Sequence, residues 1–162
     1  HMLFKEANTR YALQAWNPHQ DNIYVNNSSS LNNGFTTQYL TTNFFLDSAN
    51  KDNGTLYVYP GSHKFGLYEA EPNISYREKD DANPGNKILE KYLIKFNKVD
   101  CIFDKGDLLI LNGNLIHGSY PNKSNKSRPL LSVSYISQGE SFISGNNARR
   151  EVRTLSGVLD DK

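Results

Sequence analysis

Apolar and polar residues alternate with a period of two over several short runs, a pattern typical of strands with one buried face. In "RPLLSVSYIS", residues 128–137, leucine, valine and tyrosine alternate with serine. "TLYVYPGSH", residues 55–63, follows the turn signal Asn53-Gly54 and is rich in β-branched and aromatic residues. Each run predicts a strand.

The same alternation predicts strands elsewhere along the chain. "KVDCIFDKGDLLILNG", residues 98–113, reads as two strands joined by a polar turn at 104–107. "TTQYLTTNFFLDS", residues 36–48, predicts another strand, and "FKEANTRYALQAW", residues 4–16, predicts one more near the start. "NPHQDNIYV", residues 17–25, also has the character of an extended strand.

One stretch breaks the strand pattern. In "GNKILEKYLIKFN", residues 85–97, apolar side chains recur at helical spacing, which predicts a short amphipathic helix. Many short strands, Gly/Asn turns and one helical insertion favour a mainly β fold, a double-stranded β-helix (jelly roll, cupin-like). The polar stretches 65–86 and 140–162 are candidates for a lid, a partner surface or plain loop.

The length of 162 residues predicts a single domain over 1–162. His1-Met2 has the look of a cloning remnant, so His1 is left out of the site reasoning. No apolar run approaches the roughly 20 residues that a membrane span needs. A formal net charge of +1, without basic runs that contain aromatics, argues against nucleic acid as a partner.

Cysteine usage points to a reducing compartment. The chain has one cysteine, Cys101, which can form no internal disulfide and lies in the apolar run "VDCIF", where a buried thiol is expected. No signal peptide is apparent in the sequence, and a cytoplasmic location is the expectation.

Candidate chemistry begins with His19 and Asp21. Side chains two apart on a strand share a face, so these two can converge on one point while Gln20 faces away. Imidazole nitrogen and carboxylate oxygen together suit a divalent first-row metal. An HxD dipeptide alone is more often an ordinary solvated strand edge, so a third ligand from a distant strand is needed.

His117 is the candidate for that third ligand. It follows the apolar strand "LLILNGNLI", at a point where a strand leaves the core and an imidazole can reach a barrel mouth. A lone histidine there is usually structural. With His19 and Asp21, it completes the two-histidine, one-carboxylate set of non-haem Fe(II) oxygenases, which leaves metal positions open.

Arg128 and Ser119 are candidates for holding an acidic cosubstrate. Arg128 begins the strand after the His117 turn, so its guanidinium could return to the same cavity and clamp a carboxylate, with one further hydrogen bond from the Ser119 hydroxyl. The alternative is that Arg128, beside Pro129, is a surface arginine at a strand start.

Four blocks in order, "WNPHQD", "NGTLYVYPGSHK", "KGDLLILNGNLIHGSYPNKS" and "SRPLLSVSY", resemble the phytanoyl-CoA dioxygenase family of Fe(II)- and 2-oxoglutarate-dependent oxygenases. The resemblance runs from about Leu3 to about Ile136. It implies a substantial region before the HxD block, which here has only the segment up to Pro18, so an N-terminal family region is expected to be missing.

The resemblance implies a role for each matching residue. His19, Asp21 and His117 match the metal ligands, Arg128 matches the arginine that binds the far carboxylate of 2-oxoglutarate, and Ser119 matches its assisting hydroxyl. Asn43 falls where relatives place a cosubstrate-contacting residue, commonly tryptophan. His63, in "YPGSHK", matches a structural turn and is not expected to bind metal.

The activity implied is that of a dioxygenase using Fe(II), 2-oxoglutarate and O₂, which hydroxylates a small-molecule substrate and releases succinate and CO₂. Halogenating relatives have a small residue in place of the carboxylate ligand, so Asp21 favours hydroxylation. The alternatives are a non-catalytic jelly-roll binding module and a non-redox, cupin-like metalloenzyme using Zn²⁺ or Mn²⁺, which has no need of Arg128. Substrate identity and oligomeric state stay open.

Overall fold

The computed structural model describes residues 2–25, 39–71, 87–138 and 140, which include ten strands and one short α-helix. The strands are β1 (Met2–Lys5), β2 (Trp16–His19), β3 (Tyr39–Phe45), β4 (Leu56–Val58), β5 (Ala70–Glu71), β6 (Lys87–Ile88), β7 (Val99–Asp100), β8 (Leu108–Asn112), β9 (His117–Ser119) and β10 (Arg128–Ile136). The helix α1 is Glu90–Leu93, and 3₁₀ turns cover Asp21–Tyr24 and Ser62–Phe65.

Two four-stranded antiparallel sheets make up the jelly roll. One has the order β1-β10-β3-β8 and the other β2-β9-β4-β7, while β5 and β6 form a separate two-stranded ribbon. Buried apolar residues from both sheets meet in one cluster: Phe45, Ala49, Leu56, Leu111 and Leu130. The mainly β, double-sheet fold expected from the alternating pattern is confirmed.

The two faces of the first sheet differ in what they contact. Along β3, buried Tyr39, Thr41, Asn43 and Phe45 alternate with more exposed residues, as a strand with one covered face requires. The opposite face carries exposed apolar side chains on all four strands: Met2, Phe4, Leu40, Phe44, Leu108, Ile110, Leu131, Val133 and Tyr135.

Several predicted elements are present as expected. The segment 98–113 forms β7 and β8 with a turn between them, in which Gly106 has a φ of 98°. Gly54 has a φ of 87°, and a Cβ there would lie 2.9 Å from the carbonyl oxygen of Tyr120, so glycine is required on both counts. The run 128–137 is β10 almost throughout.

Four predicted elements are wrong in extent. The strand expected over 55–63 is only β4, and a 3₁₀ turn starts at Ser62. Residues 4–16 are not one strand: β1 ends at Lys5, and turns follow, with Asn8 at a φ of 62°. The segment 17–25 leaves the extended conformation after His19, because a 3₁₀ turn starts at Asp21. The helix expected over 85–97 is the single turn α1, since Ile88 pairs with Ala70 in the ribbon instead.

Other expectations have mixed outcomes. Cys101 is half-buried rather than fully enclosed, and that burial raises the pKa of its thiol. None of the helices in the described ranges is long and apolar enough to cross a membrane. Most of the predicted loop segments, 72–86 and 141–162, lie outside the described residues.

Candidate metal centre

The centre is built on the pairing of β2 with β9. His19, the last residue of β2, lies directly opposite His117, the first residue of β9, and the ring centroids are 4.4 Å apart. Opposed residues of an antiparallel pair place their side chains on one face of the sheet. His117 therefore opens a strand, whereas the sequence pattern had placed it at the end of the preceding one.

Asp21 reaches the same point from just outside the sheet. It is the first residue of the 3₁₀ turn after β2, with Oδ1 3.5 Å from His19 Nε2 and Oδ2 3.8 Å from His117 Nε2. One donor atom from each of the three residues lies within 4.8 Å of the others. The predicted convergence is present, but a turn produces it instead of strand alternation.

Both imidazoles are oriented by backbone carbonyls. His19 Nδ1 lies 2.6 Å from the carbonyl oxygen of Asn17, and His117 Nδ1 lies 3.0 Å from that of Leu115. Because a carbonyl can only accept, each Nδ1 must donate, which leaves each Nε2 free to face the centre. These acceptors could not be identified from the sequence alone.

The side chain of Thr41 orients the carboxylate. Its Oγ1 donates a hydrogen bond of 2.9 Å to Asp21 Oδ2. Thr41 is an inward-facing residue of β3, so the opposite sheet contributes to the position of this candidate ligand. Such outer contacts fix the direction of a ligand's lone pairs.

The charges of Asp21 and His117 suit metal binding, whereas His19 favours its protonated form in the absence of metal. Burial alone would raise the pKa of Asp21, but His117, His19 and Thr41 hold it well below its usual range. Burial lowers the pKa of His117, with His19 adding to the effect. For His19, burial acts to lower the pKa, but the hydrogen bond and charge of Asp21 outweigh it and raise the pKa. An ionised carboxylate and a neutral imidazole are the ligand forms.

Close packing between β9 and its neighbours positions this face. Gly118 separates His117 from Ser119, and a Cβ there would lie 2.4 Å from Tyr57 Oη and 2.6 Å from the carbonyl oxygen of Trp16. Glycine at this position lets the strands approach closely enough for the two histidines to face each other.

Gln20 has a structural role that the sequence reasoning missed. Its side chain is buried, with 1% of its surface exposed. Its Nε2 donates to the carbonyl oxygens of Gly66 and Asn114, at 2.8 and 2.6 Å, and its Oε1 accepts from the Tyr68 amide. These bonds tie the end of β2 to two distant segments.

The predicted carboxylate-binding residues, Ser119 and Arg128, are both buried. Ser119 is two residues from His117 on β9, and Arg128 opens β10 with only 2% of its surface exposed. Arg128 is therefore not a surface residue. Its Nε and Nη1 are buried without a hydrogen-bond partner among the described residues, and burial lowers its pKa to about 10, so it stays charged at neutral pH.

Lys5 connects these two residues, and the sequence reasoning missed it. Its Nζ donates to Ser119 Oγ at 2.8 Å, and it lies opposite Arg128 in the ladder between β1 and β10. The available signal was a lysine within the apolar run "MLFK", at a position that alternation assigns to the inner face.

Asn43 and His63 are not among the three grouped candidate ligands. Asn43 is on the inner face of β3, two residues from Thr41, and is 3% exposed; its cosubstrate role stays a prediction. His63 lies in the 3₁₀ turn Ser62–Phe65 and is half-buried. The one group of possible metal ligands in the described part of the chain is His19, Asp21 and His117, without His63.

Comparison with known proteins supports a family assignment. The profile of the family described as Phytanoyl-CoA dioxygenase (PhyH) matches residues 1–130. Phytanoyl-CoA dioxygenase 1 of Oryza sativa subsp. japonica is 32% identical over 121 residues, which are 74% of this chain and 38% of the relative. The chain thus spans less than half the length of this relative.

Solved structures share the fold. The epimerase SnoN, in complex with Fe³⁺, alpha ketoglutarate and nogalamycin RO, has a TM-score of 0.61 at 18% identity, over 91% of this chain and 56% of its own. EvdO2 from Micromonospora carbonacea var. aurantiaca, complexed with 2-oxoglutarate, also has a TM-score of 0.61, at 16% identity over 88% and 52%. On the sequence match, the chain belongs to the phytanoyl-CoA dioxygenase family.

Proposed function

We propose that this chain carries the active site of an Fe(II)- and 2-oxoglutarate-dependent dioxygenase that hydroxylates a small molecule. The observation that carries the proposal is the convergence of His19, Asp21 and His117 in a chain whose buried Arg128 has two nitrogens, Nε and Nη1, without a hydrogen-bond partner among the described residues. Three donors on one side of a metal leave positions open for a chelating cosubstrate and O₂.

The donor set fits the metal. His19 Nε2, His117 Nε2 and an Asp21 oxygen would hold Fe(II), with the ring orientations set by Asn17 and Leu115. Bound Fe(II) supplies the activation of O₂ that couples oxidation of substrate to conversion of 2-oxoglutarate into succinate and CO₂. The protein contributes three oriented ligands and a partly enclosed site that limits access by water.

The cosubstrate would bind between the metal centre and Arg128. If the keto acid end of 2-oxoglutarate binds the metal, its far carboxylate needs a buried hydrogen-bond donor. The Arg128 guanidinium offers two parallel N–H groups to that carboxylate. Ser119, on the same strand as His117, adds a hydroxyl. A non-redox metal site built on the same three ligands offers no role for Arg128, and this favours the oxygenase.

Hydroxylation is proposed over halogenation because Asp21 supplies the carboxylate ligand. Its low pKa and its hydrogen bond from Thr41 keep the carboxylate ionised and oriented, so that metal position is not available to a halide. The structural neighbour SnoN is an epimerase, so the reaction outcome on a related fold depends on the substrate and its placement. A small molecule is the proposed substrate class.

The test is turnover of 2-oxoglutarate labelled at C1. Protein supplied with Fe(II), O₂ and ascorbate should release labelled CO₂ and an equal amount of succinate, even without the true substrate, at a slow uncoupled rate. The variant Asp21→Ala should release neither. Wild-type protein that is folded and binds Fe(II), yet forms no succinate, would overturn the proposal, and the non-redox metalloenzyme would take its place.

A further inference from the structure

Two basic side chains face each other inside the protein, at the end of the first sheet. Lys5 and Arg128 are opposed residues of the β1–β10 ladder, with 6% and 2% of their surfaces exposed. Opposed residues share a face, and like charges at such positions repel each other. A buried pair of this kind is unfavourable unless another group balances it.

The Lys5 amine has polar contacts but, in the part of the chain that the structure describes, no negative partner. Its Nζ donates to Ser119 Oγ at 2.8 Å and to the carbonyl oxygen of Tyr120. Neither Lys5 nor Arg128 forms an ion pair with an acidic side chain in the described ranges. Asp21, an acidic residue of the site, is already engaged by both histidines and Thr41.

The hydrogen bond from Lys5 to Ser119 also determines whether the serine hydroxyl can donate to another group. A serine hydroxyl has one hydrogen to donate and two lone pairs to accept with. Because Oγ accepts from Lys5, its hydrogen remains available to a further acceptor. Arg128 Nε and Nη1 need an acceptor as well. Three donors, the Ser119 hydroxyl and Arg128 Nε and Nη1, thus have no acceptor among the described residues. An anion with several acceptor oxygens would supply one to each of them.

We propose that Lys5 is a second basic contact for the distal carboxylate of the dicarboxylate cosubstrate, acting beside Arg128 and through the Ser119 hydroxyl. This inference rests on the proposed function and adds a residue to its cosubstrate site. Arg128 offers a planar fork, whereas Lys5 contributes a compact charge and holds Ser119 as a donor. The combination selects a 2-oxo acid that has a second carboxylate over one with a neutral tail.

The protonation of Lys5 agrees with this role. Burial, with Arg128 nearby, lowers the pKa of Lys5 to about 6. The groups around its side chain are the Arg128 guanidinium, the Ser119 hydroxyl and the Tyr120 carbonyl, while Asn122 Nδ2 contacts only its backbone oxygen. An arriving carboxylate favours the charged amine, so cosubstrate binding near neutral pH should take up a proton.

The test compares two keto acids of equal chain length on Lys5→Met. 2-Oxoglutarate and 2-oxovalerate share the metal-chelating end, but only 2-oxoglutarate has a distal carboxylate. Both are titrated anaerobically into the Fe(II)-loaded protein while the visible absorption of the chelate is followed. Lys5→Met should lower the affinity for 2-oxoglutarate about tenfold and leave the affinity for 2-oxovalerate unchanged. Lys5→Arg should recover most of the lost affinity. Lys105→Met, in the exposed turn before β8, is the control.

Each outcome has a distinct meaning. If Lys5→Met lowers the affinity for both keto acids equally, or for neither of them, Lys5 is structural. The inference is then overturned, while the proposed function stands. If wild-type protein chelates neither acid, the proposed function itself fails. Should Lys5→Met not fold, calorimetry of the wild-type protein in buffers of different ionisation enthalpy decides. Proton uptake with 2-oxoglutarate but not with 2-oxovalerate supports the inference, and equal uptake overturns it.

Discussion

Thr41 donates a hydrogen bond of 2.9 Å to Asp21 across the interior of the jelly roll. The donor lies on β3 of the first sheet, and the acceptor follows β2 of the second. The proposed carboxylate ligand is therefore oriented by the sheet that does not carry the histidines, so the candidate metal centre depends on the packing of the two sheets.

Removing this hydrogen bond should weaken metal binding without unfolding the protein. Thr41→Val keeps the side-chain shape and removes the hydroxyl, and we expect Fe(II) or Mn(II) affinity to fall about tenfold or more, the usual effect of losing an outer contact to a metal ligand. The control is Thr42→Val, since Thr42 is the next residue of β3, is more exposed, and donates to the Val133 carbonyl at 3.3 Å. Equal losses in both variants would contradict this role.

Arg128 should control the cosubstrate requirement more than the metal affinity. We expect Arg128→Gln to lower the affinity for 2-oxoglutarate about a hundredfold, because a buried charge-assisted bidentate contact is lost. Fe(II) binding in the absence of cosubstrate should change little. The exposed Arg10 provides the control variant Arg10→Gln. An unchanged 2-oxoglutarate affinity in Arg128→Gln would remove this residue from the site.

Gln20 should matter for stability. Gln20→Ala leaves two carbonyl oxygens and one amide in the interior without their partner, together with a cavity, so we expect unfolding in urea to become easier by about 3 kcal/mol. Gln14→Ala, in the turn segment before β2, tests the same substitution at a half-buried position. If Gln20→Ala lowers the free energy of unfolding no more than Gln14→Ala does, the hydrogen bonds of Gln20 contribute little to stability.

Lys5 should make the ligand-free protein more stable as the pH rises. In the unfolded chain its pKa is near 10.5, and in the folded protein burial lowers it to about 6, so the unfolded chain binds more protons between these values. Stability therefore increases with pH across that window, by at most about 1.4 kcal/mol per pH unit.

The measurement is the difference in the free energy of unfolding between the wild-type protein and Lys5→Met, from pH 6 to pH 9. Taking the difference removes the contributions of groups common to both proteins. The free energy of unfolding of the wild type should increase relative to that of the variant as the pH rises. A difference that is constant with pH would mean that Lys5 titrates normally in the folded protein.

Local pattern accounts for most of the sheets and for part of the site. Alternation predicts β10 and therefore the place of Arg128 at its start, and the Asn53-Gly54 turn is found where it was expected. The single strand predicted over 4–16 is wrong because hydrogen bonds among neighbouring residues, such as that from Ala12 N to the Thr9 carbonyl, form turns that alternation does not report.

The contacts that complete the site are not readable from local sequence. Lys5 and Ser119 are 114 positions apart, and Gln20 and Asn114 are 94 apart, so each pairing depends on how the strands are arranged in three dimensions. The turn at Asp21 was missed for the same reason, since the Asn22 amide there bonds to the Gly113 carbonyl. Residue types predicted the candidate ligands, whereas the residues that orient them could be identified only from the three-dimensional structure.

The most direct test of the metal centre is anaerobic addition of Fe(II) and 2-oxoglutarate to the wild-type protein and to two histidine variants. The weak visible charge-transfer band of the chelate should form in the wild type, be lost in His117→Ala and persist in His63→Ala. Circular dichroism confirms that each variant is folded. A band that survives in His117→Ala and disappears in His63→Ala, or no band in folded wild-type protein, would contradict a centre formed by His19, Asp21 and His117.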